Sequence, residues 1–289
     1  MRPDFVETPT PVTCWSGKLA TSCNSAADAI AALTKTARTK RVCTKKDSPL
    51  APALDDNQHW RSVTSMAKKP RFIPAPDIER RSDEELIQCA WEFFQMMQRR
   101  RTIRDFSDRP VPRAVIEHCI RAAGTAPSGA NLQAWHFVAV NDPKVKDEIR
   151  IAAEAEEKEF YEHRAPKAWL EVLAALGTDW QKSFLQIAPW LIAVFAQPFR
   201  ILPDGTRSPT YYPLESVGIA TGLLVTALHS CGLAALTHTP SPMGFLNRIL
   251  GRPSHEKAFV LMVVGHPAEN ALVPDIARKS LEEISSFVI

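Results

Sequence analysis

Residues 112–140 read PRAVIEHCIRAAGTAPSGANLQAWHFVAV. Pro112 carries the fixed φ that suits a helix start, and Val115, Ile116, Cys119, Ile120 and Ala123 recur at the spacing of one helix face. Gly124 supplies the stop. After the turn, the aromatic and β-branched run at 135–140 reads as a buried strand. Helix, glycine turn and strand in one stretch predict a core of helices laid against a sheet.

Working outward, the pattern continues on both sides. Upstream, Ser82 and Glu85 have capping-box spacing, and Leu86, Ala90, Phe93, Phe94 and Met97 continue a helix to about Arg101. Downstream, Pro143 starts a long acidic helix through about Tyr161, and a shorter helical stretch covers 169–175. Another short helix precedes a strand at 190–195, and 197–209 reads as a polar loop. An apolar helix from about 214 to 230 is closed by Gly232, and Cys231 reads as a packing residue at its end. A strand at 233–237, a short helix at 243–250 stopped by Gly251 and a strand at 258–264 follow. The tail beyond Pro274 shows little periodicity until 281–284. The fold class is α+β, without internal repeats.

Composition narrows the function classes. The 289 residues are 45% hydrophobic, which excludes a wholly disordered chain. Thirty-five basic against 32 acidic residues, a net charge of +3, argues against nucleic acid as a partner. Residues 1–70 carry +5 of this and are rich in Thr, Ser, Pro and Lys, with one helix-like patch at 26–33. They cannot bury a core of their own, so a disordered extension is expected there. Met66 is an alternative start. The folded domain is expected over 81–289. No secretory or membrane-spanning segment is visible, and six scattered cysteines without a CxxC pair fit a reducing cytoplasm and no metal site.

Four constellations carry chemistry. Arg99, Arg100, Arg101, Thr102 and Arg104 at a helix exit suit a dianionic phosphate, although arginines are also ordinary at helix C-termini. Residues 124–130 set Pro127 and Ser128 between glycines, letting backbone approach a ligand or simply turning the chain. Glu157 and Tyr161 share a helix face, and with Lys182 they offer a carboxylate, a phenol and an ammonium to a zwitterion. Glu154, Glu156, Glu157 and Glu159 equally resemble a solvated acidic face. Thr237, His238 and Thr239 lie at a strand end, where hydroxyls meet bound rings. HExxH, GxSxG and GxGxxG are all absent, which removes zinc hydrolysis, serine hydrolysis and Rossmann dinucleotide binding as leading ideas.

These segments, in this order with Leu250-Gly251-Arg252-Pro253, Val273-Pro274-Asp275 and Arg278-Lys279, resemble the nitroreductase superfamily of FMN enzymes over about 81–289. Within it, the chain is most similar to the iodotyrosine deiodinase branch. The resemblance implies a central sheet flanked by helices and a homodimer with exchanged C-terminal arms. FMN would sit at the interface on Arg100, Arg101, Thr102, Arg104 and Arg278, with Pro127, Ser128, Thr237, His238 and Thr239 along the ring. Thr239 takes the catalytic role of a hydroxyl donor to flavin N5. Glu157 would hold a substrate ammonium, Tyr161 and Lys182 its carboxylate, and the Ala130 backbone N–H its phenolate oxygen. The implied activity is reductive dehalogenation of halotyrosines, drawing electrons from NAD(P)H directly or through a separate reductase. The alternative is a broad NAD(P)H-dependent reductase of nitroaromatics and quinones.

Overall fold

The computed structural model describes residues 70–289. The expectations for the basic extension, its helix-like patch and the Met66 start fall on residues 1–69, outside the described part. The unit from Asp77 to Ile289 is built around a four-stranded sheet, every neighbouring pair antiparallel, in the order β1-β2-β6-β5. The strands are β1 (Trp135–Val140), β2 (Trp190–Ala196), β5 (Ala234–His238) and β6 (Lys257–Gly265). A separate hairpin joins β3 (Phe199–Ile201) to β4 (Arg207–Pro209) within the stretch expected as a polar loop. Asp204 and Gly205 make its turn, with Gly205 at φ +81°.

Strand β2 is buried along its whole length, and its alternation defines two cores. Leu191, Ala193 and Phe195 point to one face, where they meet Ile149 and Ala153 of α3 (Pro143–Glu159). The same face takes Phe184 and Leu185 of α5 (Phe184–Ile187), and Phe245 and Leu246 of α7 (Gly244–Ile249). Trp190, Ile192, Val194 and Ala196 point to the other face. There they pack on Ile116, Cys119 and Ala123 of α2 (Arg113–Ala123) and Val217, Leu224 and Leu228 of α6 (Pro213–Ser230). Strand β1, expected buried, is instead a half-exposed edge, because it has a neighbour on one side only.

The helix ends follow local chemistry. In α1 (Asp83–Gln98) the capping box forms as expected, Glu85 N–H donating to Ser82 Oγ at 3.2 Å and Ser82 N–H to the Glu85 carboxylate at 2.8 Å. Pro112 is the N-cap of α2 rather than its first residue. Asp142 caps α3 by accepting from Lys144 and Val145 N–H. Within the apolar α6, Ser216, Thr221 and Thr226 donate to carbonyls four residues back, so their hydroxyls need no other partner. Cys231 is exposed at the α6 C-cap, not packed. Helix α1 has no buried residue at all: Leu86, Trp91, Phe93 and Phe94 remain exposed. Two smaller helices complete the unit, α4 (Lys167–Ala174) and α8 (Leu281–Ile284).

Candidate active site

Helix α1 stops at Gln98, so Arg99 to Arg104 follow it in non-helical backbone. The C-terminal tail runs back beside them. Arg278 donates to Gln98 O at 2.9 Å and to Arg100 O, while Arg101 donates to Pro274 O. Between segment and tail lies a cavity of about 800 Å³ lined by Arg100, Arg101, Thr102, Arg104, Arg278 and Lys279, with Phe94, Met97 and Ile276 as its apolar wall. Among the described residues, no carboxylate lies within ion-pair distance of these arginines. Charge density of this kind calls for a bound anion, and the mix of guanidinium groups, a hydroxyl and apolar surface fits a phosphate carried on an aromatic group.

His238 ends β5, and its ring lies edge-on to Phe184 at 5.8 Å. It is 8% exposed, and among the described residues its buried Nε2 has no hydrogen-bond partner. Desolvation, aided by the charges of Lys182 and Arg104, pushes its pKa down to about 3, so the imidazole is neutral at physiological pH. A buried unsatisfied nitrogen in a native fold is uncommon and marks a position awaiting a ligand atom or water. Thr237 and Thr239 alternate with His238 and are exposed.

Glu157, Tyr161 and Lys182 do come together. Helix α3 continues from Glu159 into a π-helical turn, Phe160–Arg164, a widened geometry frequent at functional sites. Glu157 pairs with Lys182 at 3.2 Å, with side chains 14% and 3% exposed. Lys182 also donates to Asp179 O and Thr178 Oγ1, and its ammonium lies 5.5 Å from the Tyr161 ring centre. The Tyr161 hydroxyl donates to Thr178 O at 3.2 Å. Burial raises its pKa, with Glu157 and Asp179 pushing the same way, so it is a neutral phenol. The Arg104 charge lowers the pKa of both groups, against the rise at Tyr161 and with the fall at His238, so Arg104 of the cavity lining lies near both.

One residue of this cluster, Glu154, enters the sequence reading only as part of a solvated acidic face. Glu154 accepts the backbone N–H of Lys182 at 2.8 Å with one oxygen and an Arg150 N–H at 2.7 Å with the other. Among four nearby glutamates it looks like surface charge. The signal that distinguishes it is its spacing of three and seven residues from Glu157 and Tyr161, which puts all three on one helix face.

The turn at 127–130 is elsewhere. Pro127, Ser128 and Ala130 do not line the arginine cavity. Gly129 N–H donates to Ser216 Oγ near the start of α6, whereas the arginine segment adjoins the end of α6, where Met96 O meets His229 Nε2 at 2.8 Å. Ser216 and His229 are about 20 Å apart along the helix axis at 1.5 Å per residue. A Cβ on Gly129 would lie 2.3 Å from Tyr211 O, so only glycine fits there. Ala130, Asn131, Gln133 and Tyr212 all hold φ near +50°, strain of the kind that gathers where backbone is shaped for a ligand.

Residues 97–266 match the model of the nitroreductase family. The chain belongs to that family. It is 53% identical over 214 residues to an iodotyrosine deiodinase of Haliscomenobacter hydrossis, a match covering 74% of this chain and 96% of that one. It is also 39% identical over 241 residues to iodotyrosine deiodinase 1 of Homo sapiens, covering 83% and 82% respectively. Its fold matches the crystal structure of an oxidised iodotyrosine deiodinase bound to FMN and 3-iodo-L-tyrosine, with a TM-score of 0.58 at 29% identity, over 68% of this chain and all of the other. Within the family, these likenesses set the chain in the iodotyrosine deiodinase branch.

Proposed function

We propose that this protein is an FMN-dependent reductive dehalogenase of 3-halotyrosines. The observation that carries the reading is the joining of Glu157, Tyr161 and Lys182 beside the arginine cavity. A carboxylate, a phenol and an ammonium, nearly closed to solvent, match the two charged ends of an amino acid. Bound FMN supplies the two electrons. With one proton these convert an aryl halide to the arene and release halide, so the products are tyrosine and halide.

The protein's own residues bind and orient. Arg100, Arg101, Thr102, Arg104 and Arg278 hold the FMN phosphate and adjacent chain, and His238 meets a polar atom of the bound group through Nε2. Thr239 offers its hydroxyl at flavin N5. Glu157 takes the substrate ammonium, Tyr161 and Lys182 its carboxylate, and the Ala130 N–H its phenolate oxygen. NAD(P)H is the ultimate electron source in this reading, used directly or through a separate reductase.

The active unit is a homodimer. Residues 127–130 and the arginines adjoin opposite ends of α6, about 20 Å apart along its axis, which supports a site shared between two chains. An isologous pair with antiparallel α6 helices brings the two ends together. The outer face of α6 suits such packing: Ile219 and Leu223 are exposed, and open space stands where Gly218 and Gly222 would carry a Cβ. The exposed face of α1 and the apolar tail, Ile284, Phe287 and Val288, would be covered in the same assembly. Among the described residues, no helix is long and apolar enough to cross a membrane.

The test is direct. The purified full-length protein should be yellow with FMN and, once reduced, should release iodide from 3-iodotyrosine. Flavin binding with nitroaromatic reduction but no iodide release would instead favour a broad nitro- or quinone-reductase.

A further inference from the structure

The Glu157–Lys182 pair bears on which substrates the site rejects, a question that rests on the proposed function and goes beyond it. Before any substrate enters, the two charges that would hold a zwitterion already hold each other at 3.2 Å. Neither is free to be left alone. Lys182 is 3% exposed, and its remaining partners, Asp179 O and Thr178 Oγ1, carry no formal charge. Its backbone is pinned by Glu154, whose other oxygen is committed to Arg150. The Arg104 charge is felt at Tyr161 of the same cluster, but in the proposed assembly it belongs to the anionic cofactor.

We propose that the Glu157–Lys182 ion pair makes the pocket select substrates by charge parity, accepting those with both charged ends or with neither and rejecting those with one. A zwitterion exchanges one pair for two, its ammonium on Glu157 and its carboxylate on Lys182, and the site stays neutral. An uncharged phenol leaves the pair intact. A ligand with only an ammonium draws Glu157 away and strands the Lys182 cation, and a ligand with only a carboxylate strands Glu157. An uncompensated buried charge is far more costly than a missing contact, so one charged end is worse than none.

Four ligands that share the halophenol ring test this in the FMN-loaded, oxidised protein at pH 7. They are 3-iodotyrosine, 3-iodotyramine, 3-(4-hydroxy-3-iodophenyl)propanoate and 4-ethyl-2-iodophenol, each titrated against flavin fluorescence. The expected order is the zwitterion first, the uncharged phenol second, and both singly charged ligands about tenfold or more weaker than the phenol. Either singly charged ligand binding as tightly as the uncharged one overturns the proposal. If 3-iodotyrosine binds while affinity falls stepwise with each charge removed, parity fails and the dehalogenase reading stands. If 3-iodotyrosine does not bind, both fail. Glu157→Gln supplies a second arm, because it frees Lys182 for a carboxylate. The propanoate should then bind about tenfold more tightly than it does to the unaltered protein, and 3-iodotyramine should not gain. An unchanged preference between those two ligands would contradict the role given to the pair.

Discussion

The two faces of the sheet are built by the same physics and finished differently. On the α3 face the core closes, and what remains unpaired among the described residues is polar, the His238 nitrogen. On the α6 face the core closes equally well, yet the helix that seals it leaves Ile219 and Leu223 outside, and α1 buries nothing. Residual polarity in a packed interior points to a ligand, whereas residual apolar surface points to another chain. The lesson is that the two faces leave different kinds of surface open, which the proposed cofactor and the proposed homodimer would each cover.

The largest effect is expected on the α6 face. Leu223→Asp places a charge in the proposed interface, and the expected outcome is monomeric protein by light scattering together with loss of retained flavin. Next in size, Leu246→Ala on the closed α3 face should lower stability by about 2–5 kcal/mol by denaturant unfolding, without altering the oligomeric state. Arg104→Ala removes one charged donor from the cavity. It should weaken FMN binding by roughly 10–100-fold, read by flavin fluorescence, at little cost in stability. Glu154→Gln loosens the backbone that carries Lys182 while leaving the clamp itself in place. A rise in KM for 3-iodotyrosine of roughly 3–10-fold with little change in kcat is expected, and an unchanged KM would remove Glu154 from the site.

The smallest effect is on pH dependence. The folded pKa of His238 lies near 3, below its unfolded value of about 6.5. The unfolded chain therefore binds the proton first as pH falls. The stability tied to neutral His238 is full above about pH 6.5 and drains away toward about pH 3. His238→Gln should accordingly lose less thermal stability between pH 7 and pH 5 than the parent.

Much of this architecture was legible from residue order. The strand at 135–140, the proline-led α3, the apolar α6 and the arginine segment all carry local signals, since periodicity and caps act within a few residues. The β3–β4 hairpin was missed in the stretch read as a polar loop, although Pro203-Asp204-Gly205 is a turn signature within it. Other features had no local signal. Lys182 meets Glu157 across 25 residues through the packing of α5 on α3. The burial that strands the His238 nitrogen depends on Phe184 from another element. That the 127–130 turn and the arginines occupy opposite ends of one helix is a fact of the fold, and spacing along the chain cannot report it.

The shared site can be tested by mixing subunits. Arg104→Ala spoils the cavity end of one chain, and Gly129→Ala spoils the turn end of another. If each site takes one end from each copy, a mixed dimer regains one intact site. Reassociating equal amounts of two nearly inactive variants should then restore iodide release from 3-iodotyrosine to about a quarter of the unaltered level. No recovery, with mixed dimers demonstrably formed, would contradict a site divided between two chains.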